Sequence, residues 1–202
     1  MAEVVLTSFT NTDNSNYLYF GNSGYTTITP HAQGFQIQNS GLITSIEVKI
    51  LDVPITKPDW TISIQTDDGG KPSGNLIDAN ATKTIAGPSA TGITKVIFDN
   101  NFSFNINTQY WLVLHQAEPV FGNVWQMSYN ANDEYPYGSF LYSTDGGSNW
   151  TDSEGDYYFV IYGELSSATK ISKVAGVSQA KIKTVYPTAL SNIKKISEIT
   201  NS

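Results

Sequence analysis

Apolar residues in the first four fifths of this chain recur in short runs with a period of two, not with the three-to-four spacing of a buried helix face. Over Leu42–Leu51, Ile46, Val48 and Ile50 alternate with Ser45, Glu47 and Lys49, which predicts a strand with one buried and one wet face. The run Tyr110-Trp111-Leu112-Val113-Leu114 does not alternate and predicts a central strand covered on both sides. The same reading predicts strands over Val4–Phe9, Gly34–Gln38, Trp60–Thr66, Thr94–Phe98, Val124–Tyr129, Ser139–Ser143 and Tyr157–Gly163. Between them, Asp67-Asp68-Gly69-Gly70-Lys71-Pro72-Ser73-Gly74, Ala86-Gly87-Pro88-Ser89, Asn130–Gly138 and Asp145-Gly146-Gly147-Ser148 are turn chemistry. About eight to ten short strands, with no segment of helical period before residue 165, predict an all-β two-sheet sandwich or a barrel.

The pattern changes after Glu164. Aromatics almost vanish, lysines crowd in, and apolar positions fall in three registers of eleven, with Ile171, Ile182 and Ile193 aligned, and Val174, Val185 and Ile196 aligned. Eleven is also the period of a right-handed coiled coil. Gly176 and Pro187 share one repeat position and the apolar residues are mostly β-branched, which favours extended or hairpin-like structure over helix. Repeats this short cannot bury their apolar side alone. They need the sandwich, a second copy or a larger assembly, so Ile171, Lys173, Val174, Ile182, Val185, Ile193, Lys195 and Ile196 are the candidates for attachment or oligomerisation. A disordered lysine-rich tail is the other reading. The organisation expected is a sandwich over residues 1–164 and a C-terminal repeat segment over 165–202.

Composition narrows the chemistry. The chain has 202 residues, 40% of them hydrophobic, enough for a real core, and a formal charge of −7 that argues against a nucleic-acid binder. That charge is an average of two unlike parts: residues 1–164 carry 5 lysines against 17 acids, and residues 165–202 carry 6 lysines against 1 acid. Arginine is absent, which removes the guanidinium fork for phosphate or carboxylate. The absence of cysteine excludes disulfides, thiolate zinc sites, iron–sulfur clusters and a Cys nucleophile. No window approaches a membrane span, and the N-terminus carries Glu3 where a secretory leader carries a base, so synthesis in the cytoplasm without a signal peptide is expected.

Local motifs offer little catalysis. Ser143-Thr144-Asp145-Gly146-Gly147-Ser148-Asn149-Trp150 fits the Asp-box pattern S-x-D-x-G-x-x-W, a tight hairpin in which the Asp accepts turn N–H groups, Gly supplies positive φ and the Trp folds back onto the core. In sialidases the motif recurs once per blade and is structural. His31 and His115 sit in no metal-ligand spacing, and His115 reads as a core or rim residue. Acids pair at Asp67-Asp68, Asp133-Glu134 and Asp152-Ser153-Glu154-Gly155-Asp156. Paired carboxylates are the groups that glycoside hydrolysis uses and loop carboxylates the groups that hold a structural calcium ion, but no spacing here matches an EF-hand loop, and the acids read first as solvated turn residues. No catalytic residue, cofactor or metal ligand is assigned. Tyr129, Tyr135, Tyr137 and Tyr142, beside Asn132 and Asp133, form the candidate ligand site, since flat rings stack on sugar C–H faces while amides and carboxylates take hydroxyls. The same tyrosines would serve equally as sandwich core.

The succession Ala32-Gln33-Gly34-Phe35, Gly41-Leu42-Ile43-Thr44-Ser45-Ile46, and Ile64-Gln65-Thr66-Asp67-Asp68-Gly69-Gly70-Lys71-Pro72-Ser73-Gly74 resembles the β-sandwich modules called choice-of-anchor domains. Tyr110–Leu114, Tyr142–Thr151 and Phe159-Val160-Ile161-Tyr162-Gly163 continue the resemblance, which covers about residues 30 to 164. It implies an antiparallel jelly-roll sandwich reminiscent of carbohydrate-binding domains, found in bacterial surface proteins and tailed-phage structural proteins, without established catalytic residues. With no leader or anchor read in the sequence, the expectation is a non-enzymatic phage virion protein: a capsid decoration, head-fibre or tail-associated component. It would display the sandwich outward and dock on other virion proteins, or on copies of itself as a homo-oligomer, through residues 165–202. A carbohydrate-binding adhesin module recognising host-surface polysaccharide is the alternative, and a glycan hydrolase the remote one. Neither nucleic acid nor membrane is an expected partner.

Overall fold

The computed structural model describes residues 3–11, 16–22, 27–28, 30–116 and 123–165. The chain parts into two units, Met1–Leu165 and Ser166–Ser202. The second unit, with the attachment candidates Ile171, Lys173, Val174, Ile182, Val185, Ile193, Lys195 and Ile196, lies outside the described residues.

Every helix or strand among the described residues is a strand, and the strands pair antiparallel in two sheets. The first sheet opens with β1 (Val4–Phe9), β2 (Tyr17–Asn22) and β3 (Thr27–Ile28). The chain crosses to the second sheet as β4 (His31–Phe35), returns as β5 (Gly41–Asp52), and crosses again as β6 (Trp60–Asp67), β7 (Pro72–Leu76) and β8 (Thr82–Ile85). It alternates once more through β9 (Gly92–Ser103), β10 (Tyr110–Gln116) and β11 (Asn123–Asn130), then runs through β12 (Phe140–Tyr142) and β13 (Thr151–Asp152) in the second sheet. It closes in the first sheet with β14 (Asp156–Tyr157) and β15 (Phe159–Leu165). This repeated crossing winds the chain as a jelly roll, and the fold is an all-β antiparallel sandwich.

The inner faces supply the core. Ile46, Val48 and Ile50 of β5 are buried as their alternation requires, and join Ile62 and Ile64 of β6 and Leu112 and Leu114 of β10 in one apolar cluster; Ser45, expected on the wet face, is buried too, its hydroxyl donating to Glu3 Oε1 at 2.6 Å. Its aromatic centre is Phe20, Trp60 and Trp125, packed edge to face with ring centroids 5.0 Å apart for Phe20–Trp60 and for Trp60–Trp125. Such rings each bury on the order of 150–250 Å², so they dominate the packing energy. The non-alternating run in β10 is covered on both sides: Tyr110, Leu112 and Leu114 face the main core, while Trp111 and Val113 join Ala32 and Leu141 in a second cluster on the outer face.

Several boundaries differ from the sequence pattern. The strand expected over Gly34–Gln38 is β4, His31–Phe35, and all five of its residues are buried. Its polar members, His31 and Gln33, masked it. The His31 ring lies between Phe20 and Phe140 at 5.1 and 5.0 Å, and burial pushes its pKa down to about 3. Gln33 is the hub of a buried polar network: its Nε2 donates to Asp156 Oδ1 at 2.7 Å and to the Gly138 carbonyl at 3.1 Å, and its Oε1 accepts the Tyr157 amide at 3.0 Å. The run expected as one strand over Tyr157–Gly163 breaks at Tyr158, because Tyr157 pairs with Tyr129 of β11 whereas Phe159 pairs with Val48 of β5 and Phe9 of β1. The stretch Asp67–Gly74 is only partly turn, since Pro72 begins β7.

Candidate functional site

Strand alternation places a particular set of side chains on the outer face of the second sheet. With Ile62 and Ile64 turned into the core, Thr61, Ser63 and Gln65 of β6 point outward; on β10 the outward residues are Trp111, Val113 and His115. Register pairs them as Trp111–Gln65, Val113–Ser63 and His115–Thr61. On the other side of β10, Val113 pairs with Ala32 and Ala32 with Leu141. The face therefore grades from apolar over β12, β4 and β10 to hydroxyl- and amide-bearing over β6.

Two glycine-rich hairpins rise beside this face. In the hairpin after β12, Asp145 Oδ1 accepts the Asn149 amide at 2.8 Å and the Ser143 hydroxyl at 2.8 Å, while Asn149 Nδ2 donates to Asp145 Oδ2 at 2.6 Å. Gly146 and Gly147 take the positive φ values, 75° and 93°, that the turn demands. These bonds, from Asn149 above all, hold the Asp145 pKa at about 2. The Asp-box thus forms as its pattern predicts, with one correction: Trp150 packs on the outer cluster of Ala32, Trp111, Val113 and Leu141 rather than on the main core. In the hairpin joining β6 and β7, Asp67 accepts the Gly70 amide at 3.1 Å and the Trp111 indole N–H at 2.8 Å, and Gln65 Oε1 accepts the Gly74 amide at 3.0 Å.

Between the hairpins lies a groove of about 260 Å³. Pro30, Pro72, Val113 and Trp150 form its apolar lining; Thr61, Ser63, Gln65 and His115 form its polar lining. The Thr61 hydroxyl is shared with Thr84 at 2.9 Å and Gln65 Nε2 donates to Ser63 Oγ at 3.3 Å. The His115 side chain makes no hydrogen bond among the described residues, and partial burial lowers its pKa, so the neutral imidazole presents one donor and one acceptor. A half-apolar concavity with a few convergent polar groups is the usual form of a small-ligand site.

The candidate residues from the sequence lie elsewhere and do not form one platform. Tyr129 and Tyr135 are core residues, 8% and 6% exposed. The Tyr129 hydroxyl donates to the Ser153 and Glu154 carbonyls, and the Tyr135 hydroxyl is bonded to Thr7 Oγ1 at 2.8 Å. Their rings are unavailable for stacking, which is a packing outcome: the ring fills the sandwich and the hydroxyl is satisfied at its rim. Tyr142 is partly buried and stacks on Phe140 at 6.5 Å. Tyr137, Asn132 and Asp133 are exposed. The Tyr137 ring leans edge-on against Tyr135 at 5.7 Å, and the Asn132 amide N–H is tied to Asn130 Oδ1 at 2.9 Å. Desolvation, with the neighbouring Asp152 and Glu154 carboxylates, raises the pKa of Asp133. No group of three His, Asp or Glu among the described residues is arranged to hold a metal. Thr61, Ser63, Gln65, His115 and Trp150 were not singled out as ligand residues from sequence; the signal that finds them is the alternation of β6 and β10 read for the outward residues.

No protein-family model matches the sequence, and no curated protein matches it. Among solved structures, the chain is similar to the cysteine protease and lectin-like domains of Cwp84, a surface layer associated protein of Clostridium difficile, with a TM-score of 0.49 and 12% identity. The match covers 75% of this chain and 37% of that one.

Proposed function

We propose that this chain is a non-catalytic recognition module that binds glycan in the outer-face groove of its second sheet. The observation that carries the reading is the lining itself. Trp150, only partly buried, offers its ring to the C–H face of a sugar, backed by the buried Pro30, Pro72 and Val113, and the unpaired His115 imidazole lines the same groove as the hydroxyls of Thr61 and Ser63. Sugars are amphipathic rings that require this combination, and a β-sandwich holds it on rigid strands. The test is binding of a multivalent form of the protein to a broad glycan panel. Wild type is expected to bind, Trp150→Ala to lose binding, and Tyr137→Ala to keep it. Loss with Tyr137→Ala and retention with Trp150→Ala would move the site to the 129–142 region.

A second reading concerns where the module is mounted. The contrast between an acidic sandwich and a basic C-terminal segment supports an attachment role for residues 165–202, and the resemblance to choice-of-anchor modules supports display on a phage virion, where other virion proteins or further copies of the chain would be the partners. Deletion of residues 165–202 is expected to leave a folded sandwich that no longer incorporates into particles; unchanged incorporation would remove the idea.

A further inference from the structure

Charge distinguishes among the glycans such a groove could hold. Of the described side chains lining it, His115 alone is titratable, and it is neutral at pH 7. Carboxylates flank the lining along the chain: Asp145 precedes Gly146, and Asp67 and Asp68 precede Pro72 in the facing hairpin. Asp67 is occupied by the Trp111 indole and the Gly70 amide, and Asp145 by Asn149 and Ser143, so neither is free to serve as a ligand acceptor without dismantling its hairpin. One cation, Lys71, stands at the exposed hairpin tip between Gly70 and Pro72, beside two acids. A sugar carboxylate or sulfate entering the groove would meet these acids without a cation in the floor to pair with it, and unpaired like charge at close range is repulsive.

We infer that the groove selects uncharged sugar rings, with His115 as the residue that reads a hydroxyl and the partly exposed ring of Trp150 as the stacking surface. This rests on the glycan reading above and narrows it to a ligand class. The remaining polar groups of the floor are already partnered within the protein, Thr61 with Thr84 and Gln65 with Gly74 and Ser63, which leaves the imidazole as the group whose hydrogen bonds only a ligand or water can complete. A site built to pair with a hydroxyl discriminates sharply once its own polar group would otherwise go unpaired.

The experiment compares three probe sets by calorimetry at pH 7: neutral gluco-, manno- and N-acetylglucosamine oligosaccharides, acidic oligogalacturonates, and basic chitosan oligomers. At least one neutral set is expected to bind at least tenfold more tightly than the charged sets. His115→Ala is expected to weaken that binding by about tenfold, the equivalent of one lost hydrogen bond. His115→Gln, which keeps a donor and an acceptor, should recover most of it, and Lys71→Ala should leave it unchanged. Thr61→Lys, which sets a cation opposite His115 on an outward position, is expected to raise oligogalacturonate binding. Preference for a charged set, or neutral binding indifferent to His115→Ala with the fold intact by thermal melting, would overturn the inference while leaving the glycan reading standing. Failure of every probe set would overturn both.

Discussion

Replacing Gln33 by Leu removes the hub of the buried network at nearly constant volume and leaves two groups stranded. The Tyr157 amide loses its acceptor, and the Asp156 carboxylate, fully buried, loses a donor at 2.7 Å. An orphaned buried amide costs about 1–3 kcal/mol and a lost bond to a buried charge about 1.5–3 kcal/mol, so destabilisation of about 3–5 kcal/mol is expected at pH 8. The penalty should also depend on pH. Desolvation raises the Asp156 pKa from 3.8 to about 6, against the opposing hydrogen bonds from the Tyr135 amide and from Gln33. A carboxyl raised by folding holds its proton more tightly in the native than in the unfolded chain. Its stabilising contribution, about 3 kcal/mol in the wild type, is complete below pH 3.8 and lost as pH rises through 6. Gln33→Leu deletes one of the bonds that favour the charged form, so the pKa climbs further and the loss above pH 6 deepens. Urea unfolding of both proteins, followed by tryptophan fluorescence at pH 4.5 and pH 8, tests this, and the difference between variant and wild type cancels the other acids. The variant should lose about 1–2 kcal/mol more at pH 8 than at pH 4.5. A difference that does not change with pH, or a total below about 1 kcal/mol, would refute the network as described.

Three further outcomes are expected. His31→Leu should lose stability at pH 7 by less than about 3 kcal/mol but gain on the wild type as pH falls below 6.5: a histidine whose pKa is depressed to about 3 destabilises the native state through that window by about 1.4 kcal/mol per pH unit, and urea midpoints at pH 7 and 5 read the crossover. Gly163→Ala should cost about 3 kcal/mol, because a Cβ there overlaps the Leu42 carbonyl oxygen and the Leu6 side chain, whereas Gly69→Ala meets no neighbouring atom and should cost about 1 kcal/mol for its φ of 65°; the two melting temperatures distinguish steric from conformational cost. Trp111→Phe removes the indole N–H that Asp67 accepts, and should loosen the β6–β7 hairpin, read as faster amide exchange at Gly70 and Gly74 with little change in the core strands.

The alternation of β5 and the uninterrupted run of β10 were enough to read the sandwich, because a half-buried strand and a doubly covered one each leave a pattern that a single residue cannot blur. Strand β4 shows the limit. His31 and Gln33 are polar by composition and fully buried in fact: Gln33 is satisfied by Asp156 and Tyr157 more than 120 residues away, and the His31 ring is held by packing between Phe20 and Phe140. The tyrosine cluster failed as a platform for the converse reason: phenol rings and their loop setting look alike whether the ring faces water or the core, and the hydroxyl bonds of Tyr129 and Tyr135 to distant backbone and Thr7 decide it. The groove was not legible as a unit because its residues come from two strands, two hairpins and the residue before β4, and each of them, a threonine, a serine, a histidine near a strand end, is unremarked alone.

The Asp-box joins these levels. Its aspartate is turned inward to Ser143 and Asn149, which occupy the carboxylate; their bonds, with Gly146 and Gly147 in left-handed conformations, hold the hairpin. Trp150, at the hairpin's end, is thereby carried onto Trp111 and Val113 and becomes a wall of the groove. On the proposed glycan reading, a motif that is structural in its chemistry becomes functional in its placement. Because hydrogen bonding from Asn149 and Ser143 keeps the Asp145 pKa at about 2, the hairpin is expected to retain its shape well below the pH at which Asp156 takes up a proton. Mild acid would then act on Asp156 and its partners Gln33 and Tyr135 before it reached Asp145. Slow amide exchange at Gly147 and Asn149 retained at pH 5, alongside a change in the environment of Tyr135, is the pattern this arrangement requires; loss of both together would mean that the Asp145 hairpin and the Asp156 network are not independent.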